Sequence, residues 1–126
     1  MLLLSINLGS SRNYLHLEKI SDKKLCQAVE SLEKGLIDTD LGSGVIKQRI
    51  SRPNEGKSGG YRTIIFYHQG NRVFFVYGFA KNDQENINED EEKAFKKSAD
   101  VMLNISDEKL QKDIDAGILS EVECND

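Results

Sequence analysis

The 126-residue chain is poor in several things, and each absence excludes something. It has one proline, Pro53, and no internal repeat or low-complexity tract, so nothing marks a linker and a single domain over 1–126 with one modest core is expected. No apolar run approaches the roughly 20 residues that cross a bilayer. The opening "MLLLSINL" lacks the basic start and the length of a secretory leader. Of the 2 cysteines, Cys26 sits in a helical pattern as a small core residue and Cys124 lies in a polar tail. They form no metal-type cluster, and a reduced, cytoplasmic setting is expected. The 2 histidines, His16 and His68, have no companion carboxylate or cysteine, which argues against a metal site or a catalytic triad.

A further absence settles the most conspicuous motif. "NEGKSGGYR", Asn54 to Arg62, contains the Gly-Lys-Ser that ends a nucleotide-binding P-loop. That loop needs a glycine five residues earlier, where this chain has Ser51, and Pro53 has no amide to offer a phosphate. It must also open a helix. Here "GGYRTIIFYH" follows, a β-branched and aromatic run that reads as a strand. The nucleotide reading fails.

Acidic residues are almost missing from the middle of the chain. Residues 1–42 carry a net charge of −1, residues 43–81 a net of +6 with Glu55 as the only acid, and residues 82–126 a net of −9. A cationic centre bounded by an acidic C-terminal part asks for an anionic partner.

The pattern of elements is α+β. From Ser21, "SDKKLCQAVESLEKG" offers an N-cap, apolar Leu25, Ala28, Val29 and Leu32 at helical spacing, and Gly35 as a stop. "IDTDLGSG" reads as a turn-rich connector. "VIKQRI" alternates, with Ile46, Gln48 and Ile50 on one face and Val45, Lys47 and Arg49 on the other. "YRTIIFYH" and "RVFFVYGFA", joined by "QGN", read as an antiparallel hairpin. Its second strand has Val73, Phe75, Tyr77 and Phe79 on one face and Phe74 and Val76 on the other, as a covered central strand would. "NEDEEKAFKKSADVML" begins with Asn88 and Glu91 in capping-box spacing and buries Ala94, Phe95, Ala99, Met102 and Leu103. A shorter helix anchored by Leu110 and Ile114 lies in the acidic segment 104–126. The expected architecture is a small antiparallel sheet with an N-terminal helix and C-terminal helices packed on it. "LLLSINL" fits an edge strand, and residues 1–17 give no clear period.

Six cations fall on or beside the strands: Lys47 and Arg49, Arg52 and Lys57 in the following loop, Arg62, and Lys81 after the last strand. Adjacent strand ends would gather Lys57, Arg62 and Lys81, with Lys47 and Arg49 a strand away. Such a cluster suits a phosphodiester. RNA is cut by its own 2′-hydroxyl when a base takes that proton and positive charge meets the phosphorane oxygens. Crowded cations lower one another's pKa, so a lysine among arginines suits the base, and arginine suits the oxygens. Tyr61 is open to two readings, a ring stacked on a base or a core residue. Taken singly, Lys47 and Arg49 are also what an exposed strand face carries.

The segment from "GLIDTDLGSGVIKQRI" through "GKSGGYR" to "FVYGFAKND" resembles the RelE/ParE superfamily of toxins from type II toxin–antitoxin modules, most closely its HigB-like branch, over about Ile20 to Leu103. The resemblance implies a RelE-like fold and an mRNA endonuclease that works in the ribosomal A site without a metal or other cofactor. It also implies silencing by a cognate antitoxin, expected to be a helix-turn-helix protein, and no membrane partner. By motif position, Arg62 corresponds to the transition-state arginine, Lys47 to the base and Arg49 to a second strand cation. Lys57, Lys81, Arg52, Tyr61 and Asn82 correspond to RNA contacts. The chain departs from the family pattern at Asn82 and Asn88, where the best-known ribosome-dependent members carry an arginine and a tyrosine. Those departures leave two alternatives, a ParE-like inhibitor of DNA gyrase or a RelE-fold protein without catalysis that acts only in its antitoxin complex.

Overall fold

The computed structural model describes residues 2–6, 21–52, 56–68, 72–80 and 87–124. Helix α1, Asp22–Glu33, begins where the Ser21 hydroxyl accepts the Lys24 amide at 3.3 Å, a cap worth about 1 kcal/mol. It ends at Gly35, whose φ of 81° only glycine adopts without strain. The Gly35 and Leu36 amides turn back to Leu32 O and Ser31 O and satisfy the last carbonyls.

Six strands form one mixed sheet in the order β2-β3-β4-β5-β1-β6. They are β1 Leu2–Ile6, β2 Thr39–Gly42, β3 Val45–Arg52, β4 Gly56–His68, β5 Arg72–Ala80 and β6 Leu119–Glu121. The expected β4–β5 hairpin is present and antiparallel. The expected connector "IDTDLGSG" instead supplies edge strand β2. It turns into β3 through Ser43 and Gly44, whose φ values of 56° and 83° are those of a two-residue hairpin turn. A side chain on Gly44 would stand 2.6 Å from Leu103 Cδ1.

Strand β1 is not an edge. It lies between β5, to which it runs parallel, and β6, to which it is antiparallel. Leu3 and Leu4 are buried on opposite faces, which a central position requires. The C-terminal segment, expected as an acidic helix and tail, yields α3 and then β6.

Helix α1 covers one face of the sheet. Its Leu25, Ala28, Val29 and Leu32 pack with Leu3, Ile46, Ile50, Ile65, Val73, Phe75 and Val122. Helices α2, Glu89–Met102, and α3, Asp107–Asp115, cover the other, over Leu4, Val45, Ile64, Phe66, Phe74 and Val76. The expected capping box is present: Asn88 Oδ1 accepts the Glu91 amide at 2.8 Å and Glu91 Oε1 accepts the Asn88 amide at 2.9 Å. Along α2, Ala99 is buried and Phe95, Met102 and Leu103 are partly so, but Ala94 is exposed, contrary to expectation. In α3 Leu110 is buried and Ile114 packs beside it.

The strict alternation expected in β5 breaks at Val76. Ile64 pairs with Tyr77 and Ile65 with Phe75, so Val76 is an extra residue in the ladder. Tyr77 therefore moves from the Val73 and Phe75 face to the α2 face. There its ring meets Phe95 edge-on, with centroids 5.6 Å apart.

The cysteines also depart from expectation. Cys26 and Cys124 are joined by a disulfide rather than being separate reduced thiols. Backbone geometry brings them together. After β6, the Val122 amide donates to Leu3 O at 2.9 Å and the Glu123 amide to Asp22 Oδ2 at 3.0 Å, laying the chain end along α1. Among the described residues, no helix is long and apolar enough to cross a membrane.

Candidate functional site

Pairing of β3 with β4 sets Lys47 opposite Ile64 and Arg49 opposite Arg62. Alternation puts these side chains on the face that α2 and α3 cover, but Lys47, Arg49 and Arg62 lie beyond the residues those helices bury. Lys47 and Arg62 are half-buried, and the Arg49 side chain is 45% exposed. With Asp38 and Thr39 they line an open groove of about 140 Å³.

Two arginines directly opposite each other repel. The chain offsets this with Asp38. Its Oδ2 accepts the Arg49 backbone amide at 2.7 Å and lies 3.6 Å from Arg49 Nε. Asp38 is itself held by Gln48, which is buried on the opposite face of β3. Gln48 Nε2 donates to Leu36 O at 3.0 Å, and Gln48 Oε1 accepts the Asp38 amide at 3.0 Å. The side-chain amide thus makes the pair of bonds that a strand neighbour would make. Thr63 Oγ1 donates to Gln48 O at 2.9 Å and fixes β4 to the same point. The segment between α1 and β2 is fastened so that one carboxylate faces one guanidinium.

The structure brings three of the sequence-predicted residues together: Lys47, Arg49 and Arg62. Lys47 and Arg49, expected a strand away from Arg62, lie on β3, the immediate neighbour of β4, and share a groove with it. The backbone of Lys57 lies in β4, five positions before Arg62, roughly 16 Å along the strand. Arg52 ends β3 opposite Gly56, at that same far end. The side chains of Arg52, Lys57 and Tyr61 fall outside the described residues, as do Lys81 and Asn82 entirely. Strand β5 ends at Ala80, opposite Tyr61. Asn88 is engaged in the α2 capping box.

Asp38 is the residue that sequence reasoning missed. Its signal is the "GSG" turn: folding the chain there brings Asp38 beside Gln48 and Arg49. Among the described residues, no group of three His, Cys, Asp or Glu side chains is placed to hold a metal ion. Two guanidinium groups and an ammonium around so small a space suit a tetrahedral anion, which arginine grips by paired N–H bonds.

A search of curated proteins finds no match to this chain. The family model described as the RelE toxin of the RelE / RelB toxin-antitoxin system matches residues 11–122. That span takes in α1, the groove and both C-terminal helices, and the chain accordingly belongs to the RelE toxin family.

Proposed function

We propose that this protein is the toxin of a toxin–antitoxin module, of the HigB-like branch, and that it cuts mRNA in the ribosomal A site without a metal. What carries the reading is the groove in which Arg49 and Arg62 stand opposite each other with Lys47 beside them. A phosphodiester of the message sits there. Lys47 takes the proton of the ribose 2′-hydroxyl, and the 2′-oxygen attacks the adjacent phosphorus. The bond to the 5′-oxygen breaks, and that oxygen leaves with a proton from water. The products are a 2′,3′-cyclic phosphate and a 5′-hydroxyl end. Arg62 and Arg49 hold the phosphorane oxygens, whose charge grows in the transition state, where such contacts lower the barrier most. Asp38 orients Arg49. Lys57, Arg52, Lys81, Tyr61 and Asn82 contribute to binding of the strand outside the groove. The partner in the resting state is an antitoxin that covers the cationic segment 43–81 with acidic side chains.

The test is expression in bacteria with mapping of transcript ends. Cuts within translated codons are expected, and Arg62→Ala should abolish them. Undiminished cutting by that variant removes the mechanism. Normal translation with inhibited DNA supercoiling would instead assign the gyrase activity of ParE-like relatives.

A further inference from the structure

A second groove lies across the edge of β3 from the first. Lys24, Gln27 and Ser31 of α1, with Gln48, Arg49 and Ile50 of β3, line an open depression of about 150 Å³, and Arg49 borders both grooves. Strand β2 pairs with β3 from Val45 to Lys47 only. Past Lys47 the outer edge of β3 has no strand neighbour among the described residues, and the Arg49 amide is capped by Asp38 instead. Arg49 is thus the residue common to both depressions.

The chemistry of the second groove resembles that of the first. Among the described residues its lining includes no carboxylate, although acids outnumber bases 21 to 17 in the chain. Lys24 brings an ammonium. Gln27 is exposed and offers both an amide donor and an acceptor. The Ser31 hydroxyl donates to Gln27 O at 3.3 Å, which leaves its oxygen lone pairs to accept. A cation with a neutral donor and acceptor beside it matches one nucleotide step of RNA, a phosphate and a ribose 2′-hydroxyl.

We infer that the RNA strand held in the first groove crosses the β3 edge at Arg49 and continues into this second groove. Lys24 takes the neighbouring phosphate there, and Gln27 and Ser31 meet a ribose hydroxyl. The inference rests on the nuclease reading and adds a direction for the strand: from the cutting site toward α1.

Two photo-crosslinking proteins test it, both carrying Arg62→Ala so that the message stays whole. In one, Thr39 in the first groove is replaced by a benzophenone amino acid; in the other, Gln27 is. Each is bound to ribosomes programmed with a labelled mRNA and irradiated. Crosslinks from both positions to the mRNA are expected, and Lys24→Glu should abolish the one at 27 while leaving the one at 39. A crosslink to mRNA at 39 with none at 27, or with ribosomal RNA alone at 27, overturns the continuation and leaves the first groove standing. Failure at 39, whatever position 27 shows, overturns both readings.

Discussion

Arg49 and Asp38 are joined twice, once through the Arg49 backbone amide at 2.7 Å and once through its guanidinium Nε at 3.6 Å. The double link fixes where the arginine can point. With Nε turned to the carboxylate, the two terminal nitrogens of the fork remain for another anion. The pair is partly solvated, so its worth lies in direction more than in stability.

Asp38→Asn separates these roles. The amide oxygen still accepts from the Arg49 backbone, but the negative charge is gone. RNA binding should tighten a few-fold, on the order of 0.2–1 kcal/mol, while the turnover rate falls because the guanidinium is no longer held. Single-turnover cleavage on programmed ribosomes, measured against RNA concentration, gives both quantities. Weaker binding at an unchanged rate would contradict the assignment.

Arg72 predicts a stability effect far from the groove. Its side chain is 8% exposed and uses both ends: Nη1 donates to Ile105 O and Nη2 to Asp107 Oδ1, each at 2.6 Å. It thereby ties the first residue of β5 to the link between α2 and α3. Arg72→Met should cost about 1–3 kcal/mol in urea unfolding. Asp107→Asn should cost much less, because that carboxylate is 98% exposed and water replaces its partner. The reverse ranking would show that the ion pair, not the buried donor, holds the link.

The Tyr67 hydroxyl is buried with no hydrogen-bond partner among the described residues. Burial, and secondarily the charge of Glu33, raise its pKa above the ordinary 10.0. A raised pKa in the folded state means that the unfolded state gives up this proton first. The contribution is whole below pH 10.0 and is lost as pH rises through the folded value. Tyr67→Phe removes the orphan group. It should leave stability at pH 7 equal or greater, and should flatten the loss of stability above about pH 10.

Cys124→Ser tests the tie at the chain end. Cross-linking residues separated by 98 positions restricts the unfolded chain, an effect typically of about 2–4 kcal/mol. Thermal melts should show the wild type dropping to the variant's midpoint in dithiothreitol and the variant indifferent to it.

What the sequence made legible was local. The Ser21 and Asn88 caps, the Gly35 stop and the alternation of Val45 to Ile50 each depend on residues within a turn or a few strand positions. The groove was legible in part for the same reason, since Lys47 and Arg49 share a strand face and Arg62 sits in the next strand. What stayed hidden depends on partners distant in sequence or on one inserted residue. Nothing near "LLLSI" says that it pairs parallel with β5. The bulge at Val76 carries no composition signal, and it alone moves Tyr77 to the other face. The Cys26–Cys124 bond needs β6 in place before the two sulfurs can meet.

The position of β1 also governs when the molecule can finish folding during synthesis. Leu2 must wait for Arg72 and Leu4 for Glu121, so β1 is flanked by strands made some 70 and 117 positions later. Until β6 has been made, β1 has at most one neighbour, and its other edge is a row of open amides and carbonyls. A nascent chain cannot close its sheet, and translation halted short of Leu119 releases a protein whose second strand-to-strand seam never forms.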